Sequence, residues 1–337
     1  MDTVKEKSRT IRVAAVQMQS CLGDIRANLN HATLPIEQAA AQGAQLIALP
    51  ELAASGYSMS NAIWDAGETR QGLTIQWLKE TTKRLKIYLG IGFLEVDGED
   101  FYNSYAIGTP DGEIAGIVRK TMAETACFRC FNGPHVINTS IGKIGIGICA
   151  DNMFVANLHR MQDGSADLLL MPHAAPVPYR TGGPVNEKDI PEARRKLSQM
   201  APRYSLLIGI PVLFINQVGP RGPEKWHGIL GGLMSPKYFK VGGLSTISTL
   251  DGRVVGQLDD CGEGVTVADV TLDSSRKTAS RPVGHGSYGG GFVIPYPPLF
   301  EGICYMDAFF GRLHYQFSAL RRRKARVIAA NESLLLF

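Results

Sequence analysis

The chain has 337 residues, of which 45% are hydrophobic and 20% charged, and its formal net charge is +4. This composition is typical of a globular protein, and the length allows one large domain or two smaller ones. No apolar run approaches the length of a membrane span. Neither zinc-finger spacing nor an aromatic-rich basic stripe indicates nucleic-acid binding. The basic run 321–324 instead favours a solvated helix face or a subunit contact.

The N-terminus and the cysteines predict a cytoplasmic protein. Residues 1–7 are charged and lead directly into a strand-like segment, unlike a secretory leader. Six cysteines in a chain of this length then indicate reduced thiols. Cys127 and Cys130 form a lone CxxC without a second pair or histidines at zinc-ligand spacing. They lie in a predicted loop, so we interpret the pair as incidental.

The first part of the chain predicts strands that alternate with helices. Asp24 is a plausible helix N-cap and Gly43 a stop signal. Pro110-Asp111-Gly112-Glu113 is a turn with strong hairpin chemistry. The predicted strands are 11–18, 45–49, 88–95, 101–109 and 114–120, and the predicted helices are 24–42 and 73–85.

The second part of the chain also predicts strands that alternate with helices, and it adds another hairpin around 250–252. The predicted strands are 136–138, 143–149, 168–171, 206–216, 244–249, 254–258 and 265–272, and the predicted helices are 155–163 and 190–204. Hairpins among the helices exclude a purely parallel barrel and predict a mixed sheet with helices outside.

We expect one domain over 1–275, because no low-complexity linker divides it, and an extension over 276–337. A Gly/Pro/Tyr-rich stretch at 282–298 and an apolar, basic tail predict an irregular extension. Such a segment is expected to pack on the core or on a partner subunit.

Three predicted strand ends carry complementary chemistry. Glu51 follows one strand, Lys120 ends another, and Cys149 ends the apolar run 144–148. A thiolate is the working nucleophile, and a carboxylate with a raised pKa can accept its proton and return it to a leaving amine. A fixed ammonium and a backbone N–H can stabilise the charge that grows on oxygen or nitrogen.

These residues lie in segments that resemble the signature segments of the nitrilase superfamily of carbon–nitrogen hydrolases. Supporting matches in the family's order are 102–104, 110–113, 215–219 and 242–245, and the resemblance covers about residues 10–273. The signature segments are Leu49-Pro50-Glu51 with Ser55-Gly56-Tyr57, Arg119-Lys120-Thr121, and Gly147-Ile148-Cys149-Ala150-Asp151.

The resemblance implies a four-layer α-β-β-α sandwich of mixed sheets that forms homodimers or larger homo-oligomers. It implies Glu51 as general base, Lys120 as charge stabiliser and Cys149 as nucleophile, with the Ala150 N–H in the oxyanion hole. No metal or organic cofactor is implied. Many members have a second glutamate between the lysine and the cysteine. Glu124 is our candidate for it. It lies only four residues after Lys120, whereas the family's second glutamate normally lies further along the chain. The alternative is that Glu124 is a surface loop residue.

Five further residues are candidates for substrate contact. Ala150 stands where the family often has an aromatic residue, and Asn152 replaces an arginine seen in several branches. His173 follows the next predicted strand and is either a pocket residue or an ordinary loop histidine. Tyr57 and Trp64 either wall the pocket or pack in the core.

The sequence therefore predicts an amidase or carbamoylase that forms a cysteine thioester. Nitrile hydrolysis is the alternative within the superfamily, disfavoured because Cys149-Ala150-Asp151 differs from the Cys-Trp-Glu that true nitrilases usually show. Two alternatives lie outside these activities. One is a non-catalytic binding member of the family, and the other is a redox or zinc protein built on Cys127 and Cys130.

Overall fold

The computed structural model describes residues 8–334; the charged N-terminal segment 1–7 and residues 335–337 lie outside the described residues. The strands are β1 (Arg9–Gln17), β2 (Leu46–Ala48), β3 (Tyr88–Asp97), β4 (Asp100–Gly108), β5 (Ile114–Arg119), β6 (Val136–Thr139), β7 (Gly142–Ile146), β8 (Leu168–His173), β9 (Pro176–Pro178), β10 (Val212–Asn216), β11 (Val218–Pro220), β12 (Phe239–Gly242), β13 (Thr246–Ser248), β14 (Val254–Gln257) and β15 (Gly264–Leu272). The α-helices are α1 (Ile25–Ala41), α2 (Leu73–Leu85), α3 (Val155–Asp163), α4 (Asp189–Ser198), α5 (Met200–Ile208), α6 (Gly228–Leu233), α7 (Pro298–Phe317) and α8 (Ala319–Leu334).

Two mixed six-stranded sheets face each other. Their strand orders are β15-β1-β2-β3-β4-β5 and β14-β13-β10-β8-β7-β6. Strand β2 is parallel to β1 and β3, and β8 is parallel to β7 and β10, whereas the remaining pairs in both sheets are antiparallel. The facing sides bury a single apolar cluster that includes Val13, Ile107, Ile146, Leu170 and Ile215. Burial of these branched side chains joins the two sheets.

Helices cover the outer side of each sheet. Leu29 and Ile36 of α1 and Leu78 of α2 are buried against the first sheet. Leu158 of α3 and Tyr204 of α5 are buried against the second. The layers run helix, sheet, sheet, helix, so the predicted α-β-β-α sandwich is confirmed. A small sheet in the order β11-β12-β9 lies beside it.

Two predictions around residues 190–216 are wrong. The single helix predicted over 190–204 is divided at Gln199 into α4 and α5. The strand predicted from residue 206 begins only at Val212, because the helix continues to Ile208 and ends at Gly209 with φ +68°. Tyr204 and Ile208 are buried at the i, i+4 spacing of one helix face.

From Pro298 onward the extension is helical, which corrects the prediction of an irregular tail. Tyr315 of α7 accepts the backbone N–H of Phe101 at 2.8 Å, and α8 packs on β3 and β4. Arg321, predicted on a solvated face or subunit contact, is 5% exposed, and its Nη1 donates to Asp100 Oδ1 at 2.8 Å. The division of the chain at residue 275 stays a prediction. Between residues 8 and 334, no helix is long and apolar enough to cross a membrane.

Candidate active site

Glu51 lies just beyond β2 and is completely buried. Its Oε1 accepts from Lys120 Nζ at 2.7 Å and from Asn103 Nδ2 at 2.7 Å, and its Oε2 accepts from the backbone N–H of Ala174 at 2.8 Å. Burial raises the pKa of Glu51, while the Lys120 ammonium lowers it and the charge of Glu124 raises it; the net direction is upward. A buried carboxyl with a raised pKa can both accept and return a proton.

Lys120 joins two carboxylates. Its Nζ contacts Glu51, and it also donates to Glu124 Oε1 and Oε2 at 2.8 and 3.0 Å. Burial alone would lower the pKa of Lys120, but the charges of Glu124 and Glu51 raise it well above its usual value. The side chain is therefore a fixed ammonium at neutral pH. Glu124 reaches this cluster from the loop that follows β5.

Tyr57 completes the polar cluster. Its hydroxyl donates to Glu124 Oε1 at 3.1 Å. Burial, and then the charges of Glu124 and Glu51, raise the pKa of Tyr57 well above its usual value. The phenol therefore keeps its proton and acts as a hydrogen-bond donor. Its ring packs edge-on against Trp226 with centroids 5.6 Å apart.

Cys149 begins a short 3₁₀ helix, Cys149–Met153, and does not end the strand as predicted. Strand β7 ends three residues earlier, at Ile146, because the chain leaves the sheet to form the turn. Cys149 has φ +46°, which is unusual for a residue other than glycine and is characteristic of functional turns. Its thiol is half-buried. Burial, and then the Glu51 charge, raise the pKa of Cys149 well above its usual value, while the Lys120 charge lowers it.

Asp151 fastens the Cys149 turn to the segment after Lys120. Its Oδ1 accepts from the backbone N–H groups of Thr121 and Met122 at 3.1 and 2.7 Å. Its Oδ2 accepts from Ile148 N–H at 3.2 Å. One buried carboxylate therefore holds the proposed nucleophile and charge stabiliser in a fixed relation. Asp151 ends the third signature segment, but no role was predicted for it from the sequence.

Asn152 and His173 line the cavity beside Cys149, and so does Ala150. Asn152 Nδ2 donates to Gly147 O at 2.6 Å and lies 3.0 Å from His173 Nε2. Burial, followed by the Lys120 charge, lowers the pKa of His173 to about 3, so the ring is neutral. Since Asn152 donates, His173 Nε2 is the unprotonated nitrogen. The side-chain amide of Asn152 thus donates one N–H to Gly147 O and the other to His173 Nε2.

Three buried polar side chains were missed as supports of the site. Asn103 holds Glu51, Gln217 Nε2 donates to Glu51 O at 2.7 Å, and Asn157 Nδ2 donates to Asn152 Oδ1 at 2.9 Å. Each is at most 4% exposed. A buried amide requires hydrogen-bond partners. The position of Asn103 inside a predicted strand with apolar residues was therefore the sequence signal for its supporting role.

A cavity of about 1140 Å³ opens at this cluster, and Tyr57, Glu124 and Cys149 contribute to its lining. Trp64 is not a lining residue. It is fully buried, and its Nε1 donates to Cys127 O at 2.8 Å. The core alternative for Trp64 is therefore the correct one.

The CxxC pair does not form a joint site. Cys127 Sγ lies 3.8 Å from Ser60 O, and Cys130 Sγ lies 3.9 Å from Ala123 O. Burial raises the pKa of both thiols. Within residues 8–334, no group of three or more His, Cys, Asp and Glu side chains is arranged to hold a metal ion.

The sequence matches the family model described as carbon-nitrogen hydrolase over residues 12–280. The chain belongs to this family, and the predicted nitrilase-superfamily resemblance is confirmed. It is 27% identical to N-carbamoylputrescine amidase of Arabidopsis thaliana over 79% of this chain and 88% of that protein. It is 31% identical to the chloroplastic omega-amidase of the same plant, over 54% of this chain and 53% of that protein. A bromoxynil-specific nitrilase of Klebsiella pneumoniae subsp. ozaenae is 26% identical over 82% of each chain.

Solved structures share the fold. A carbon-nitrogen hydrolase from Helicobacter pylori G27 superposes with a TM-score of 0.68 at 21% identity, over 79% of this chain and 90% of that one. An amidase from Nesterenkonia sp. AN1, solved with acrylamide added at its active-site cysteine, superposes with a TM-score of 0.61 at 21% identity. That match covers 78% of this chain and 94% of the amidase.

Proposed function

We propose that the protein is a cysteine-dependent amidase that hydrolyses a small-molecule amide through a thioester on Cys149. One observation carries the proposal. The Cys149 thiol shares a cavity with the Glu124 carboxylate, Glu124 and buried Glu51 both accept hydrogen bonds from the Lys120 ammonium, and the charges of Glu51 and Lys120 both act on the pKa of the thiol. Nucleophile, base and charge stabiliser are thus adjacent, as acyl transfer requires.

The first half of the reaction makes the thioester. Glu51 takes the thiol proton as Cys149 Sγ attacks the amide carbon, since burial disfavours the charged forms of both groups in the free protein. Negative charge grows on the amide oxygen, and the Lys120 ammonium and the Ala150 N–H stabilise it. Glu51 returns its proton to the nitrogen, the carbon–nitrogen bond breaks, and ammonia or an amine leaves.

The second half uses the same groups. Glu51 takes a proton from water, the oxygen attacks the thioester carbon, and the carbon–sulfur bond breaks. Cys149 recovers its proton and the acid is released. Glu124 and Tyr57 keep the Lys120 ammonium in place through both halves, and neutral His173 lines the space beside the acyl group. All of these steps use side chains and water, so the scheme needs no metal or organic cofactor.

The family relationship supports this reaction class. The named relatives include amidases and nitrilases, so amide and nitrile substrates both belong in an assay. We favour an amide or carbamoyl substrate, because the residue after Cys149 is the small Ala150. We also propose a cytoplasmic homodimer or larger homo-oligomer, which light scattering of the purified protein tests.

The decisive experiment is an ammonia-release screen over amides, carbamoyl amino acids and nitriles. We expect release from amides and a mass increase on Cys149 equal to the acyl group in quenched samples. Cys149→Ala should abolish both, while Cys261→Ala, which removes an exposed thiol, should leave both unchanged. Full activity in Cys149→Ala would refute the nucleophile. A protein that hydrolyses none of the three classes would favour the binding alternative.

A further inference from the structure

The cavity beyond Cys149 is far larger than an amide group. Its volume is about 1140 Å³. Pockets of about 300–1,000 Å³ enclose most of a drug-sized ligand. A substrate as small as acetamide would leave most of this space filled with water. The size alone therefore indicates a substrate with a substantial body attached to its amide carbon or nitrogen.

An aromatic ladder runs from the nucleophile turn into this cavity. Phe154 directly follows the 3₁₀ helix that Cys149 begins. Its ring centroid is 4.9 Å from that of Phe292, which is 4.9 Å from Tyr296, which is 4.6 Å from Phe300. Phe154, Tyr296 and Phe300 contribute to the cavity lining. Such a wall favours an apolar or aromatic ligand.

Methionines supply much of the remaining apolar lining. Methionine is flexible and polarizable, so it adapts to irregular apolar ligands. Four charged lining residues lie on α4 and α5; all are exposed, and they therefore mark the solvent end of the cavity. The methionines are Met59, Met122, Met153, Met200 and Met234, and the charged residues are Glu192, Arg195, Lys196 and Arg203.

Helix α7 forms one wall, and it lies beyond residue 280, where the family match ends. The wall is fixed in place. Thr125 Oγ1 donates to Ala308 O at 3.1 Å, and Asp307 Oδ1 accepts from Ile229 N–H at 2.7 Å. This chain therefore adds its own apolar surface to the family site, and that surface is available for selecting substrates.

The bulky part of the substrate must be its acyl group. The proposed proton donor to the leaving amine is Glu51, whose side chain is fully buried among Lys120, Asn103 and Ala174. Cys149 lines the cavity, whereas Glu51 and Lys120 do not. The group that Glu51 protonates must therefore be small, and the open cavity that Cys149 lines is left for the acyl group.

We infer that the substrate is the primary amide of a bulky apolar carboxylic acid, whose hydrocarbon or aryl body lies between the aromatic ladder and α7. This rests on the proposed amidase function. The amide and the Cys149 thiol give the thioester and ammonia, and water then gives the free acid and the thiol. The carbon–nitrogen bond is the only substrate bond broken.

The test measures kcat/KM for ammonia release from acetamide, butanamide, hexanamide, octanamide and 3-phenylpropanamide. We expect about a fourfold gain for each buried methylene, from a transfer free energy of about 0.8 kcal/mol. Ala308→Trp fills the α7 wall and should lower kcat/KM for octanamide about tenfold more than it lowers kcat/KM for acetamide. The matched control is Phe309→Trp, on the neighbouring residue that is 59% exposed and outside the lining.

The outcomes separate this inference from the proposed function. Acetamide hydrolysis that depends on Cys149, with kcat/KM flat or falling along the series, would overturn the apolar acyl site and leave the amidase function standing. Equal losses for acetamide and octanamide in folded Ala308→Trp would do the same. If no amide is hydrolysed, melting curves of Cys149→Ala decide the pocket: stabilisation by octanamide but not acetamide supports it, and no stabilisation overturns it.

Discussion

Glu124→Gln is the substitution that best separates catalysis from packing at this site. Glu124 accepts two hydrogen bonds from Lys120 Nζ, at 2.8 and 3.0 Å, and one from Tyr57 at 3.1 Å. Glutamine keeps the shape but removes the charge and turns one acceptor into a donor. Lys120 keeps its 2.7 Å contact with Glu51, so the fold is expected to survive.

The magnitude follows from the bonds that are lost. A hydrogen bond to a charged group contributes about 1.5–3 kcal/mol. If that free energy serves to hold Lys120 where charge develops, kcat for the best amide should fall about 10- to 150-fold, at about 1.36 kcal/mol for each tenfold. The matched control is Glu113→Gln in the β4–β5 hairpin, where the side chain is 76% exposed and far less constrained. It should leave kcat unchanged.

The pH profile gives a second readout that a packing role would not move. The negative charge of Glu124 raises the pKa of Glu51. Removing that charge lowers the pKa of Glu51, and the base then stays ionised to lower pH. The acid limb of kcat/KM should therefore move to lower pH in Glu124→Gln. An unmoved acid limb with kcat within about twofold of the parent would refute a role for Glu124 in turnover.

Three further substitutions test the supports of the site. Gly147→Ala should lower kcat at least about tenfold, because its Cβ would overlap Asn152 Oδ1, and a steady-state assay with normal activity would contradict this. Arg119→Met should lower the free energy of unfolding by about 3 kcal/mol. The substitution removes the guanidinium whose Nε donates to Oε2 of buried Glu95 at 2.9 Å. Urea unfolding measures the loss, and a change below about 1 kcal/mol would show that the pair is dispensable. Tyr57→Phe should lower kcat about tenfold by removing one hydrogen bond of about 1.5 kcal/mol to the charged second carboxylate, with unchanged KM expected.

The sandwich could be predicted where local chemistry and tertiary structure agree. Strand β4 and strand β5 are joined by a Pro-Asp-Gly-Glu turn, and the hairpin forms as expected. Residues 206–216 show the opposite case. A continuous apolar run has no period that separates a buried strand from the end of a buried helix. Gly209 and the following Pro211 were the available signals for the helix end, and Gly209 takes the left-handed conformation there.

The composition of the C-terminal tail did not predict its helices, because the helices are stabilised by packing on the rest of the protein. Gly and Tyr residues before Pro298 favour irregular structure, and that stretch does contain turns and a short 3₁₀ helix. Beyond Pro298 the apolar residues belong to α7, a helix that has Tyr315 buried on the first sheet. Tertiary packing of this kind outweighs local composition.

Glu124 shows why sequence order locates some catalytic candidates and not others. Glu51 and Lys120 lie just beyond strands of one sheet, in signature segments whose resemblance to the family predicts that they meet. Glu124 sits in a loop whose path is set far away in the sequence. The next residue, Thr125, donates to Ala308 O of α7, and Gly311 leaves no room for a Cβ against Thr125. The helix that walls the cavity thus also holds the loop that carries Glu124, so in the proposed function substrate selection and charge placement share one support.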